Sequence, residues 1–414
     1  SGTAVASGGV SRIDNVLVTG NKQQNVSGYA GLTVNGASAT VSGLAPLTTY
    51  YYQVAAVGQS GSSSASSNVI SLTTNADQSV ADYRTKASGN MSDVSIWEYK
   101  YDGVNYAAAT AAPGATNNIA IRPTDSVYLD ADFNIGSGKT MTINGIMNAN
   151  TKLLFGNGSV VVAPASTFMT AHANGINTSG SISSTGKTLS DSATYVYTGT
   201  IPQTTGGLPS PLKGKVIIYN NSSLNVSTNK VITAPGSFIV KSGAVVTFGS
   251  GVSTNTYSIS GTGNFVAESG STLIITSSNG ISVPTLVDTL GCIRLTGSRS
   301  FASGINYSLT KNDGTSISRF GTSFGTEITG INNLTINNPV GALMNSSNVS
   351  VNGTLALVAG KLTTGAYKIT AAAVTKTDTS WPHLPSVALS ASVSMQLLLD
   401  PEESLTITIA LLLI

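Results

Sequence analysis

The chain has 414 residues, of which only 9% are charged, against about 25% in an ordinary soluble domain. Its net charge of +2 comes from basic residues scattered without a cluster, so the electrostatic footprint of a nucleic-acid partner is missing. Hydrophobic residues make up 41% of the chain in short regular runs, which excludes a wholly disordered protein. Helix-forming Glu, Lys and Arg are scarce, and the composition therefore predicts an all-β fold.

The single cysteine and the length of the apolar runs limit the covalent and membrane options. Cys292 stands alone, which excludes intrachain disulfides and a zinc site built from several thiolates. Its neighbours Leu290, Ile293 and Leu295 predict a buried side chain rather than a reactive thiol. The longest apolar run, residues 407–414, is far below the roughly 20 residues that cross a bilayer, so we expect no transmembrane segment.

Residues 1–20 end in an alternating strand pattern that runs from Arg12 to Gly20. This string resembles the closing strand of jelly-roll, carbohydrate-binding-like domains of secreted bacterial proteins. The match is confined to one strand, and sugar binding is not carried over. Since no signal peptide opens the chain, we expect a processed or partial product in which this strand closes an upstream domain.

Residues 21–75 contain an L-x-P-x-T-x-Y stretch, formed by Leu44, Pro46, Thr48 and Tyr50. The stretch resembles that of fibronectin type III domains. The resemblance implies a β-sandwich in which Tyr50 is the tyrosine-corner residue, its hydroxyl bonded to nearby backbone. Only about 54 residues separate Gly20 from Thr74, whereas such a sandwich takes about 100. We therefore expect a partial module, either without its early strands or with residues absent near 21–25.

Residues 76–118 combine turn-forming Gly, Asn and Asp with a large aromatic, Trp97. The open end of a stacked β structure exposes apolar surface and unpaired strand edges. A segment with a buried aromatic can cover such an end. The pattern predicts a connector and solenoid cap here.

Residues 119–370 form a series of short runs with alternating apolar residues, each followed by Gly, Asn or Ser. Such spacing is typical of a sandwich, a barrel or a solenoid. Internal similarity favours the solenoid, because residues 174–176 match 279–281 and residues 216–221 match 334–338. The offset between the copies grows only from 105 to about 117 residues. We therefore predict a long parallel β-helix, or β-solenoid, of roughly a dozen coils.

Asparagine recurs at the ends of these runs, at Asn144, Asn174, Asn220, Asn221, Asn279, Asn337, Asn338 and Asn352. Two interpretations stay open. The side chains form stacked ladders at the solenoid corners, or they are single turn residues that tolerate left-handed backbone.

Several strings carry a further family resemblance, namely residues 90–97, 126–132, 141–145, 174–180, 333–338 and 348–355. The region from 82 to 370 resembles the β-helical part of secreted surface proteins of Bacteroidota. The resemblance implies export by the type IX secretion machinery, a secreted or cell-surface location, and an adhesive or scaffolding role. Residues 371–414 lack the pattern of the sorting domain common in that group, so we leave their fold unassigned.

Acidic residues are few between 119 and 370, where only eight occur. Glycan-cleaving β-helices need clustered carboxylates, or a basic residue beside bound calcium. Asp130 and Asp132 lie two apart on an expected strand, so their side chains share a face and could hold calcium together with Asp125. Solvated surface acids are the alternative. Apart from this possible calcium ion we expect no cofactor.

Two Gly-Lys-Thr strings, residues 138–140 and 186–188, look like the end of a phosphate-binding loop. Neither has the glycine that such a loop needs five positions earlier. His172 and His383, the only histidines, have no partners in a triad motif. These strings do not predict nucleotide binding or hydrolysis.

The sequence as a whole favours a non-catalytic structural or adhesive stalk over an enzyme. The expected partners are an extracellular glycan or surface, or other copies of the chain, with the secretion machinery during export. A filament-forming subunit and a polysaccharide-active β-helix enzyme are the alternatives.

Overall fold

The computed structural model describes residues 26–30, 32–33, 38–57, 63–249, 257–283, 291–311 and 313–377, and the backbone of strands at 395–399 and 405–408. Every regular element in these ranges is a strand, apart from one 3-10 turn at Val94–Ile96. The all-β prediction is confirmed. The same residues contain no helix long and apolar enough to cross a membrane. The closing strand expected in residues 1–20 lies outside the described ranges.

The chain divides into two compact units, Ser1–Asn75 and Ala76–Ile414. Unit 1 contains two strands, β1 (Thr49–Tyr52) and β2 (Ile70–Thr73), which pair antiparallel. None of the described residues of unit 1 is buried. The fibronectin type III assignment stays a prediction.

Unit 2 begins with four short strands. They are β3 (Tyr83–Thr85), β4 (Gly89–Asn90), β5 (Trp97–Lys100) and β6 (Tyr106–Ala108). The strands β5 and β6 form an antiparallel hairpin on one side of β3, while the other side of β3 pairs parallel with the first coil. Trp97 is completely buried, and its indole N–H donates to the carbonyl of Met91 over 3.0 Å.

Eleven coils follow between Ile119 and Lys376. The first four contain β7 (Ile119–Ile121), β8 (Ser126–Tyr128), β9 (Phe133–Asn134), β10 (Thr140–Ile143), β11 (Ile146–Asn148), β12 (Leu154–Phe155), β13 (Ser159–Val162), β14 (Thr167–Thr170), β15 (Gly186–Leu189), β16 (Thr194–Tyr197) and β17 (Gln203–Thr204). The next four contain β18 (Lys215–Ile218), β19 (Leu224–Val226), β20 (Lys230–Val231), β21 (Ser237–Val240), β22 (Val245–Phe248), β23 (Ile259–Gly261), β24 (Asn264–Ala267), β25 (Thr272–Ile275), β26 (Ile293–Leu295), β27 (Arg299–Phe301) and β28 (Ile305–Thr310).

The eighth coil also contains β29 (Ser318–Arg319). The last three coils combine the longer strands β30 (Ile331–Asn337), β32 (Val349–Ala359) and β34 (Ile369–Lys376) with the two-residue strands β31 (Ala342–Leu343) and β33 (Leu362–Thr363). The coils therefore run six residues past the predicted end at 370. Two further strands, β35 (Met395–Leu399) and β36 (Leu405–Thr408), follow; β35 pairs antiparallel with β34, and β36 pairs antiparallel with β35.

Three large sheets run along unit 2. Sheet 1 has the order β15-β13-β10-β7-β3-β5-β6, sheet 2 has β27-β24-β21-β18-β16-β14-β11-β8-β4, and sheet 3 has β17-β19-β22-β25-β28-β30-β32-β34-β35-β36. Smaller sheets join β12-β9, β20-β23-β26 (sheet 4) and β29-β31-β33 (sheet 5). From β8 to β27, neighbouring strands of sheet 2 pair in parallel, and their register partners are 20 to 34 residues apart in the sequence. Each such interval is one coil. The predicted parallel β-helix is confirmed.

Alternation along each strand builds the core. In sheet 2 the inward positions form one row across seven coils, made of Val127, Met147, Phe168, Tyr195, Val216, Phe238 and Phe265, all completely buried. Phe238 and Phe265 stack with ring centroids 6.2 Å apart. Parallel stacking thus places like side chains above one another, and each coil shields the apolar row of the next.

The internal repeat relates corners on different faces. Residues 174–176 follow β14 of sheet 2, whereas their counterparts, residues 279–281, follow β25 of sheet 3. Gly175 and Gly280 both have positive φ, +65° and +61°, and a side chain at either would meet backbone carbonyls of the next coil. The two matching segments therefore share the same local corner geometry, but they form corners on different faces of the solenoid.

Candidate functional site

The corners between sheets carry a buried polar cluster that bonds coil to coil. Asn220 is completely buried, and its Oδ1 accepts the backbone N–H groups of Ser222 and Ser223. Its Nδ2 donates to the carbonyl of Ile201 and to Oε1 of Gln203, both in the preceding coil. One side chain thus caps its own turn and ties down the coil below.

Gln203 occupies an inward position at the first strand of sheet 3, opposite the buried Leu224. Its Nε2 donates to the carbonyls of Thr170 and His172, and its Oε1 also accepts the N–H of Gly199. All the hydrogen-bonding capacity of this buried amide is met. The side chain thus bonds the coil before it, through Thr170 and His172, and the coil after it, through Asn220, at the first strand of sheet 3.

Asn338 repeats the role of Asn220 farther along the chain. It is completely buried, accepts the N–H of Val340, and donates to Ser316 and Ser318 of the preceding coil. A true asparagine ladder is also present, because Asn332 and Asn333 both donate to Oδ1 of Asn306 one coil below. Neither interpretation holds as stated for Asn220 and Asn338, because neither has a positive φ and neither stacks on another asparagine; each caps its own turn and bonds residues of the preceding coil.

Three sheets end on a strand whose inward position holds a cation. Lys187 on β15 lies opposite the buried Val160, and Lys230 on β20 lies opposite the buried Ile259. Their ammonium groups donate to the carbonyls of Ile182 and Leu208 respectively. Burial lowers the pKa of both lysines.

Arg299 is the third such residue, on the last strand of sheet 2 opposite Phe265. Only 3% of its side chain is exposed. The guanidinium donates to the carbonyl of Ser282 and to Oγ of Ser323, and its Nη1 lies 3.1 Å from Oε2 of Glu327. All three cations therefore lie on the terminal strand of their sheet, at a position that is apolar in the neighbouring coil.

An apolar row faces outward on sheet 2. Met169, Val196, Ile217, Ile239 and Val266 are register partners across five successive coils. Val196 is 4% exposed, and the other four side chains of the row are half-buried. At about 4.8 Å per step, the row is about 19 Å long.

The three aspartates of the expected calcium site are not brought together. Asp125 is buried, where its Oδ2 accepts the hydroxyl of Thr85 at 2.5 Å and Nε of Arg122 at 2.9 Å. Asp130 accepts bonds from the backbone and hydroxyl of Ser92. The strand β8 ends at Tyr128, so Asp130 and Asp132 lie in the following turn rather than on one strand face.

Asp132 is exposed and accepts the N–H of Leu153. Within the described part of the chain, no three His, Cys, Asp or Glu side chains converge as a metal ligand set. Each of the three aspartates instead bonds to a different part of the chain.

The remaining residues singled out from the sequence lie in structural positions. The hydroxyl of Tyr50 accepts the backbone N–H of Ala45 at 2.8 Å, which is the type of bond expected at a tyrosine corner. Cys292 is completely buried, and burial raises the pKa of its thiol to about 12. Of the two Gly-Lys-Thr strings, one places Lys139 directly before strand β10, and the other places Lys187 within strand β15. His383 lies outside the described residues.

A shallow open cleft of about 290 Å³ lies beside the last coils. Its walls include Ile328, Asn348 and Thr370, and Lys368 is the one charged residue that lines it. A single cation offers no acid and base pair for glycan cleavage.

Comparison with models of known protein families, with curated proteins and with solved structures gave no significant match.

Proposed function

We propose that this chain is a non-catalytic structural or adhesive stalk of a secreted or cell-surface protein. The observation that supports the proposal is the continuity of the parallel ladders. Nine strands of sheet 2 and eight parallel strands of sheet 3 succeed one another without a break. Each coil is held to the next by backbone hydrogen bonds on several faces, a design suited to a stiff rod.

The dimensions fit a spacer. Eleven coils at about 4.8 Å each make a rod of about 50 Å. The corner amides Asn220, Gln203 and Asn338 add side-chain bonds between coils. Secretion and surface attachment are supported by the resemblance to exported Bacteroidota proteins and belong to the proposal.

We place the adhesive contact, with an extracellular glycan or surface, on the outward row of sheet 2. An apolar stripe on an otherwise polar outer surface marks an interaction site. Two exposed tyrosines lie on the same face of the sheet. Tyr128 is the register partner of Asn148 on β11, and Tyr219 directly follows β18. A polysaccharide-active enzyme has no comparable observation in its favour.

The experiment is to image the secreted product on cells and to measure its binding to a panel of extracellular glycans. We expect an elongated surface density and binding that falls when Ile217 and Ile239 are both changed to lysine. Thr188→Lys, on the exposed outer face of sheet 1, is the matched control and is expected to bind as the wild type does. Release of oligosaccharide products from any glycan would contradict the proposal.

A further inference from the structure

The open cleft beside the last coils contains a polar patch of four side chains on the outer face of sheet 3. Two of them flank the buried Val349 at the start of β32, and the other two flank its buried register partner Ile369 at the start of β34. Because the neighbours of an inward residue point outward on a strand, all four side chains share one face. They are Asn348, Ser350, Lys368 and Thr370.

Bonds between the two coils hold this patch in place. The backbone N–H of Lys368 donates to Oδ1 of Asn348 at 2.8 Å, and the hydroxyl of Thr370 lies 3.4 Å from that of Ser350. Side chains on adjacent coils are about 4.8 Å apart, and alternate positions along one strand are about 7 Å apart. The patch therefore presents an amide, two hydroxyls and an ammonium group within the reach of one small ligand.

A turn of the preceding coil forms the wall of the cleft. It includes Gly325 and Ile328, and the N–H of Gly325 donates to the carbonyl of Ile328 at 2.9 Å. The hydroxyl of Ser347, in the next coil, donates to the carbonyl of Phe324. Gly325 has a φ of +80°, and a side chain there would collide with Ser347. The turn is thus packed directly against the next coil, and the cleft is a preformed part of the solenoid.

Lys368 supplies the cleft with a cation that has no acidic partner. Among the described residues, no carboxylate lies within ion-pair distance of its ammonium group, and none lines the cleft. Glu327, which precedes the wall residue Ile328, is paired with Arg299 at 3.1 Å. The cleft therefore carries a net positive charge. A cation beside hydroxyl and amide groups recognises an anion that also bears hydroxyl groups.

We infer that the cleft binds one acidic sugar unit of an extracellular polysaccharide, with its carboxylate or sulfate on Lys368 and its hydroxyls on Ser350 and Thr370. The volume of about 290 Å³ lies at the small end of ligand pockets and fits a unit of this size. The buried Ile331 lines the cleft as well and offers an apolar surface to the C–H groups of the ring. Because the cleft is open, the polysaccharide on either side of the bound unit continues into solvent.

This inference deepens the adhesive part of the proposed function and rests on it only for the expectation that the ligand is a glycan. The cleft lies on sheet 3, whereas the outward row lies on sheet 2. A chain with Ile217→Ser and Ile239→Ser should therefore keep its binding at the cleft. Release of oligosaccharide products would contradict the non-catalytic stalk without contradicting this site, and the variants below test the site without testing the row.

The test is isothermal titration calorimetry of the full chain with a short oligogalacturonate and with its methyl ester, which has the same rings but no charge. A sulfated galactan oligosaccharide and its desulfated form make the second pair and distinguish a carboxylate from a sulfate. We expect at least one acidic ligand to bind with a Kd about fivefold or more below that of its uncharged form. In Lys368→Gln this preference should fall below about twofold.

Lys361→Gln is the matched control, because Lys361 is exposed, loses the same charge and does not line the cleft. It is expected to bind as the wild type does. Ser350→Tyr fills the cleft from an exposed position without changing the charge, so its expected loss of binding tests the site independently of Lys368→Gln. A wild type that binds neither acidic ligand, or binds charged and uncharged forms equally, would overturn the inference. An equal loss of affinity in Lys361→Gln and Lys368→Gln would do the same.

Discussion

At the scale of single residues, unit 2 is held by buried polar side chains whose bonds are satisfied across coils. Asp125 is the clearest charged example, with 6% of its surface exposed. Burial opposes ionisation, but the Thr85 hydroxyl and the Arg122 guanidinium outweigh it, and the pKa of Asp125 lies below its ordinary value. Because Thr85 belongs to β3 and Asp125 to the first coil, this carboxylate ties the capping segment to the solenoid.

Asp125→Asn is expected to destabilise the protein by about 2 kcal/mol at pH 7, since it removes hydrogen bonds to a charged acceptor. A lowered folded-state pKa contributes stability above the unfolded value, near 4, and that contribution is lost as the pH falls through the folded pKa. The difference between wild type and variant should therefore shrink in acid.

Urea unfolding of the two proteins at pH 7 and at about pH 2.5 checks this expectation. The exposed Asp132→Asn is the matched control and should change stability by less than about 0.5 kcal/mol at either pH. A gap between wild type and Asp125→Asn that stays the same in acid would contradict the assigned role of the charge.

At the scale of strands and sheets, the sequence pattern predicts alternation but not register. The period of two correctly marks apolar inward positions such as Val160 and Ile259. It cannot show that Lys187 and Lys230 lie in the same inward rows, because the row is defined by a partner one coil away and coil length varies. The pattern also could not show that the strand carrying Tyr128 ends there, which leaves Asp130 and Asp132 off the strand and apart from Asp125.

Arg299→Met is expected to loosen the end of sheet 2. The change leaves Glu327 without its cation and removes the bonds to Ser282 and Ser323. Breaking a partly buried ion pair by removing one partner is more costly than replacing both by apolar residues. Since Cys292 is buried close to this cluster and reacts only when exposed, its thiol can serve as the local probe.

The measurement is the rate of labelling of Cys292 by a thiol reagent under native conditions. We expect labelling in Arg299→Met to be about tenfold faster or more than in the wild type, and the double variant Arg299→Met/Glu327→Leu to recover most of the protection. Lys215→Met, at an exposed position of sheet 2, should label as the wild type does. Equal labelling of all four proteins would show that the ion pair does not hold this end.

At the scale of the whole molecule, composition and the regular succession of short strands and turns were sufficient to predict the parallel β-helix, because each coil repeats the same strand and corner geometry even where the matching corners lie on different faces. The same pattern does not show at which coil one sheet ends and another begins. Sheet 1 ends at β15, sheet 4 begins at β20 and sheet 2 ends at β27. At these positions residues of neighbouring coils contact each other, as Asn220 does with Gln203. No local sequence pattern encodes such contacts.

The division of the chain into two units leads to a prediction about truncation. All the buried apolar residues of the described chain lie in unit 2, from Ala81 onward. A chain that starts at Ala76 should therefore unfold at the same urea concentration as the full chain. A chain that starts at Ile119 loses the hairpin of β5 and β6 and exposes the edge of β7, so its stability should fall by about 3 kcal/mol or more.

Urea unfolding followed by far-UV circular dichroism compares the three chains. The two truncations differ only in residues 76–118, which include Trp97 and Tyr83, packed edge to face with centroids 6.5 Å apart. If both truncated chains unfold together with the full chain, the segment is a connector that adds no stability. If only the shorter chain is destabilised, the hairpin closes the first coil in the way that a capping repeat closes a solenoid.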